Sequence, residues 1–96
     1  MITCADVEKA GAKLISGPSQ GTFERVVVDS RKAQPGDLFV ALPGEKTDGH
    51  AFLEQAVAQG ASGLLVSKKP NQNLGEASVY QTEDCLKTLG KLARLY

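Results

Sequence analysis

The chain is poor in the residues that build a self-contained catalytic or metal centre. It holds one histidine and two cysteines. Cys4 and Cys85 are isolated, with no CxxC spacing, and read as reduced thiols rather than a disulfide. One histidine and scattered carboxylates assemble no metal site. There is no GxxxxGK[ST] phosphate loop: Gly44-Glu45-Lys46-Thr47 resembles only its tail, with a glutamate between glycine and lysine. GxGxxG is missing too. Ser30 and His50 have no third, orienting group that would make them nucleophile and base. No residue is therefore assigned as catalytic, and the chain alone lacks the equipment for ATP-driven chemistry.

Net charge is also lacking. Lys+Arg and Asp+Glu are 11 each, which argues against broad binding to a nucleic-acid backbone. No apolar stretch approaches the ~20 residues of a membrane helix. The N-terminus has no basic head followed by an apolar segment, so no signal peptide is read. A cytoplasmic, monomeric protein without membrane insertion is expected. The 96 residues suffice for one small domain, and 42% hydrophobic residues support a globular core.

What is present concentrates in residues 29–50. An apolar run, residues 38–42, is bracketed by Pro35-Gly36 and Pro43-Gly44. Each pair suits a type II turn, in which proline presets the first corner and glycine takes the positive φ of the second. A short, turn-bounded apolar run predicts a strand buried on both faces. Such a strand delivers the polar loop 44–49 to a sheet edge, where ligands collect in open α/β folds.

Spacing predicts a helix over residues 3–14, with Val7, Ala10, Gly11 and Leu14 on one face and Thr3 or Asp6 as cap. Residues 17–21 are a loop, and 23–28 a β-branched and aromatic strand. A helix is expected over 50–59, with Leu53, Ala56 and Val57 on one face and Gly60 ending it. Residues 63–66 form a short buried strand, 68–76 a polar loop and 78–80 an edge strand. Thr82 caps a last helix with Leu86, Leu89, Ala93 and Tyr96 on one stripe. That helix reaches Tyr96 without a stop signal; a natural domain can end on a helix, and an uncapped end also fits a chain cut at a domain boundary. The βαβ unit across residues 38–66 should be parallel and right-handed. The fold class is α/β: three layers, α/β/α, with a small, mostly parallel or mixed sheet flanked by helices.

Some residues suit an anion and sugar site. Ser30, just past a strand end, carries a hydroxyl that donates and accepts, suiting a ribose or base edge. Lys46 offers a point charge for phosphate, with the Thr47 hydroxyl beside it. Gly44 and Gly49 let backbone N–H groups approach a diphosphate. Plainer roles stand beside these. Asp29 and Asp48 suit turns that bond their own backbone. Arg31 suits a surface pair with Asp29 or Asp37, and His50 a helix start. Lys68-Lys69 reads as a solvated loop.

The order DSRK-x-x-PGDLFVALPGE-x-x-DGH-x-F, then A-x-x-x-GA and LLVS, resembles the N-terminal domain of the ATP-dependent Mur ligases of bacterial cell-wall synthesis. The likeness spans the chain and is strongest over residues 26–67. The residues around 82–93 and the LLVS lean toward the ligase that adds D-alanyl-D-alanine. The Leu-Pro-Gly at 42–44 suits equally the one that adds the third peptide residue, diaminopimelate or lysine. The resemblance implies that residues 1–96 form the domain holding the UDP end of a UDP-N-acetylmuramoyl-peptide substrate. It implies that Val28, Ser30 and Arg31, with the loop Glu45-Lys46-Thr47, line the uridine and diphosphate. In that family a central domain binds ATP and magnesium, and a C-terminal domain brings the incoming amino acid or dipeptide. Neither is in these 96 residues, so the segment alone is expected to be inactive, without a cofactor of its own. A free-standing α/β binding module without catalysis is the alternative reading.

Overall fold

Pro35-Gly36 forms the expected turn, and the apolar run behind it forms the expected buried strand. Gly36 takes φ +90°, and the Asp37 N–H closes the turn on the Gln34 carbonyl at 3.1 Å. The structure, a computed structural model, describes residues 2–18, 21–42, 52–70 and 74–95. Its strands are β1 (Ile2–Thr3), β2 (Lys13–Ser16), β3 (Thr22–Phe23), β4 (Val26–Val27), β5 (Leu38–Val40), β6 (Gly63–Val66) and β7 (Ser78–Gln81). Its helices are α1 (Cys4–Lys9), α2 (Leu53–Ala58) and α3 (Cys85–Leu95), with a short 3₁₀ turn at Ser30–Lys32.

Five strands make one mixed sheet in the order β2-β7-β6-β5-β4, and β1 pairs separately with β3. The ladders β4–β5, β5–β6 and β6–β7 are parallel, while β2 runs antiparallel to β7. The strand–helix–strand unit is therefore parallel, with Phe39 opposite Leu64 and Val40 opposite Leu65. Alternation along each strand sorts the core into two halves. Leu38, Val40, Leu65 and Tyr80 pack with Val7 of α1 and Cys85 and Leu92 of α3. Phe39, Leu64, Val66 and Val79 pack with Leu53 and Ala56 of α2. Helices thus cover both faces, and the architecture is the three-layer α/β/α arrangement predicted. Cys4 and Cys85 are both buried and form no disulfide.

Four local expectations are corrected. The first helix stops at Lys9 rather than running to residue 14. Thr3 and Asp6 form a capping box, with backbone-to-side-chain bonds of 3.0 and 3.1 Å. After the turn at Ala10–Gly11 the chain enters β2, where Leu14 lies opposite Tyr80. That non-local pairing overrides the helical spacing. It also makes β7 an interior strand rather than an edge, with Tyr80 fully buried. The strand expected at 23–28 is split into β3 and β4, because at Glu24–Arg25 the chain turns to bond the segment around Gly36 and Asp37. In the last helix the buried side is Cys85, Thr88 and Leu92, whereas Leu86 is 65% exposed. Its cap is Asp84, whose carboxylate accepts the Lys87 N–H at 3.1 Å; the Thr82 hydroxyl pairs with that of Thr88 at 2.8 Å.

The sheet tolerates no side chain at Gly63. A Cβ there would sit directly against the Phe23 ring and 2.9 Å from Leu38 Cδ1. The Phe23 ring is buried and cannot swing into water. Gly63→Ala should cost ~1–3 kcal/mol by overpacking, read as a lower denaturant midpoint at unchanged slope. An unchanged midpoint would show that Phe23 has room to move.

Candidate functional site

Parallel strands end at one edge of a sheet, so β4, β5, β6 and β7 deliver their following segments to the same side. After β4 the chain runs through Val28 and Asp29 into the 3₁₀ turn at Ser30–Lys32. Asp29 caps that turn: its carboxylate accepts the Arg31 N–H at 2.9 Å. Arg31 also folds back on Asp29 with two side-chain bonds, at 3.1 and 3.0 Å. These bonds, the side-chain one first, hold the Asp29 carboxyl below its usual pKa. Of the plainer roles read from sequence, Arg31 takes the surface pair with Asp29. Val28 beside it is 51% exposed.

Ser30 is 5% exposed and tied at both ends to α2. Its hydroxyl donates to Gln55 Oε1 at 2.7 Å, and its carbonyl accepts from Gln59 Nε2 at 2.8 Å. Gln55 lies in α2 and Gln59 at its C-terminal cap, four residues on, so the end of one helix grips one residue.

A second clamp holds the other side of the turn. Asp37 sits at the start of β5 with its side chain 1% exposed. It takes a two-pronged bond from Arg25, Nε to Oδ1 at 3.2 Å and Nη2 to Oδ2 at 2.7 Å, and also accepts the Gln34 N–H at 2.9 Å. Arg25 Nη2 further donates to the Lys32 carbonyl at 3.1 Å. Burial alone would raise the Asp37 pKa. The Arg25 bond, the Gln34 N–H and the Arg25 charge outweigh it and hold the carboxyl below its usual range.

Of the site residues expected from sequence, the structure brings Val28, Ser30 and Arg31 together at the end of β4. Glu45, Lys46 and Thr47, with Pro43, Gly44, Asp48, Gly49 and His50, lie outside the described residues. Sequence reasoning missed Gln55, Gln59, Arg25 and the part played by Asp37. One signal was available for the last: an aspartate abutting a fully apolar strand requires a partner.

A cavity of about 800 Å³ opens along the same edge beyond β6 and β7. Lys13, Ser67, Thr82, Lys87 and Lys91 line it. It does not include Ser30. Among the described residues no group of three or more His, Cys, Asp or Glu could hold a metal, and no helix is long and apolar enough to cross a membrane.

Comparison with known proteins identifies the family and the fold. Residues 22–96 match the model of the Mur ligase family, catalytic domain. Over 68 residues the chain is 43% identical to UDP-N-acetylmuramoyl-L-alanyl-D-glutamate--2,6-diaminopimelate ligase of Gloeobacter violaceus, covering 71% of the chain and 14% of that protein. Over 72 residues it is 44% identical to UDP-N-acetylmuramoyl-tripeptide--D-alanyl-D-alanine ligase of Escherichia coli, covering 72% and 16%. A crystal structure of MurF from Acinetobacter baumannii superposes with a TM-score of 0.79 at 28% identity, over 94% of the chain and 20% of that protein. The chain thus spans a small part of the length of the relatives it matches. Ligases adding diaminopimelate and ligases adding D-alanyl-D-alanine both occur among them, so the lean toward the dipeptide-adding ligase is not decided by these matches. The chain belongs to the Mur ligase family and carries the fold of its N-terminal domain.

Proposed function

We propose that this chain anchors the UDP end of a UDP-N-acetylmuramoyl-peptide at the Ser30 turn, as the N-terminal part of a longer cytoplasmic, ATP-dependent ligase of cell-wall peptidoglycan synthesis. The observation that carries this is the placement of the Asp29-Ser30-Arg31 turn. It lies at the carboxyl end of a parallel strand, clamped from two sides, in a fold shared with MurF. ATP and magnesium would supply the energy for amide-bond formation. Following the resemblance, we assign ATP and magnesium to a central domain of the longer chain and the incoming amino acid or dipeptide to a C-terminal domain; the 96 residues hold no phosphate loop. What this segment contributes is binding energy remote from the reacting carboxylate. Gripping the nucleotide end fixes where the peptide end lies, which lowers the entropic part of the barrier.

For the residue added, we propose D-alanyl-D-alanine, supported by the superposition on MurF. Diaminopimelate is the second reading, favoured by the 43% identity to the Gloeobacter enzyme. The anchoring role is tested by NMR titration of the isotope-labelled chain with UDP. Shifts should centre on residues 28–32 and the loop 44–49. Ser30→Ala should weaken binding by ~0.5–1.5 kcal/mol, one neutral hydrogen bond. The absence of shifts at millimolar UDP would reject the anchoring role and favour a binding module for another partner.

A further inference from the structure

We propose that the cavity beyond β6 and β7 is an anion site, in which Lys13, Lys87 and Lys91 take the phosphate groups of a small molecule. The site does not depend on the UDP-anchoring role, since Ser30 is not in its lining. Topology is the first argument. The described residues that follow β6 lie on the face covered by α2: Leu74 and Ala77 belong to the same half of the core as Leu53. The Ser30 turn and α2, which follow β4 and β5, are on that face too. After β7 the chain crosses to the other face, where Cys85 and Leu92 of α3 join Val7 of α1. Neighbouring parallel strands whose continuations part to opposite faces leave a crevice between their carboxyl ends, and open α/β sheets bind ligands in that crevice. The parting falls between β6 and β7, and Ser67 after β6 and Thr82 after β7 both line the cavity. About 800 Å³ is room for a small molecule rather than a single ion.

The lining supplies the chemistry. None of the three lysines pairs with a carboxylate among the described residues. Lys87 and Lys91 are four residues apart on α3, so their side chains share a face. The Lys91 ammonium reaches from α3 to the turn before β2, where a Cβ added at Gly11 would lie 3.9 Å from it. Two carboxylates line the cavity as well. Asp84 is spent on α3's own backbone, accepting the Lys87 N–H at 3.1 Å, which leaves Glu83 against three ammoniums. A neutral donor adds to the charge. Thr82 and Thr88, 9% and 3% exposed, join their hydroxyls at 2.8 Å. Two hydroxyls carry two protons, and that bond uses one. The other has no acceptor among the described residues, and both side chains line the cavity. A lysine is a point charge suited to phosphate, and a phosphate group carries close to two negative charges against a carboxylate's one.

The test is NMR titration of the isotope-labelled chain with inorganic pyrophosphate at fixed ionic strength. Shifts should centre on Gly11, Ser67, Gln81, Thr82, Lys87 and Thr88. Lys87 and Lys91 are exposed, so exchanging them leaves the core intact. The double variant Lys87→Gln/Lys91→Gln should weaken pyrophosphate by about tenfold, the scale of two partly exposed charge pairs. Lys69→Gln, an exposed lysine outside this cavity, should leave the affinity unchanged. Repeating the titration with UDP present identifies the source of the phosphate. UDP that shifts the cavity residues and blocks pyrophosphate would mean that the cavity takes the diphosphate of the nucleotide. Pyrophosphate binding undisturbed by UDP would mean a second ligand, and either result supports the site. No shifts at the cavity with millimolar pyrophosphate would overturn the proposal. So would equal weakening by Lys69→Gln and by the double variant, which would show diffuse attraction to surface charge only. Failure of UDP to bind would count against the anchoring role and leave the pyrophosphate result to decide this one.

Discussion

Phe39→Asp should leave no cooperatively folded protein. Phe39 lies in the middle of β5, 1% exposed, between two parallel neighbours. It belongs, with Ala33, Leu53, Ala56, Leu64 and Val66, to the half of the core covered by α2. Truncation alone, as in Phe39→Ala, costs ~3–5 kcal/mol through lost transfer energy and the cavity left behind. The carboxylate adds several kcal/mol more, because no donor or cation in that cluster can compensate its desolvation. Together these match or exceed the ~5–15 kcal/mol that holds a typical domain folded. Phe39→Leu, which stays apolar and nearly fills the space, should fold with a cost of ~1–2 kcal/mol and serves as the control. Thermal melts followed by circular dichroism distinguish the outcomes. A Phe39→Asp protein with a cooperative transition near that of the wild type would mean that β5 is not buried on both faces.

This strand was legible because its signal is local. Residues 38–42 form a continuous apolar run closed by Pro-Gly, and no distant contact is needed to see it. The same holds for residues 63–66 and for the core face of α2, Leu53 and Ala56. Where sequence reading failed, a distant partner decided the outcome. Leu14 has helical spacing from Val7 and Ala10, yet it becomes a strand residue because β7 offers a ladder. Only that pairing turns β7 from an edge into an interior strand. The phase of α3 was misread for a different reason: its buried side includes Thr88, whose hydroxyl is satisfied by Thr82, so a polar residue interrupts the apolar stripe.

The candidate site divides in the same way. The DSR motif draws attention to Ser30 and Arg31, and the turn after β4 places them together. The groups that give the turn its shape lie at separations of 12, 25 and 29 residues, in the bonds Arg25–Asp37, Ser30–Gln55 and Gln59–Ser30. Periodicity carries no information about such contacts. Arg31 and Arg25 illustrate the limit: sequence offered Arg31 either Asp29 or Asp37, and the fold gives Asp29 to Arg31 and Asp37 to Arg25.

Asp37→Ala should destabilise the domain by ~2–4 kcal/mol at neutral pH, less than breaking a fully buried ion pair because Arg25 can turn to water. Half of the Arg25 side chain is already exposed, whereas Asp37 is 1% exposed. The substitution leaves the Gln34 N–H without its acceptor and loosens the Arg25 bond to the Lys32 carbonyl, so the Ser30 turn should lose order as well. The pH dependence identifies the cause. Asp37 has a folded-state pKa below the value near 4 of an unfolded aspartate. A depressed carboxyl pKa contributes stability that is fully present above the unfolded value and is lost as pH falls through the folded one. The wild type should therefore lose this contribution in acid, and Asp37→Ala, which never had it, should not. The gap between the two melting temperatures should be widest near pH 7 and narrow steadily below about pH 4. Asp29, also depressed by its own arginine, titrates in both proteins and cancels in the difference. A gap that stays constant from pH 7 to pH 3 would assign the loss to packing at the start of β5 rather than to the charge that Arg25 holds in place.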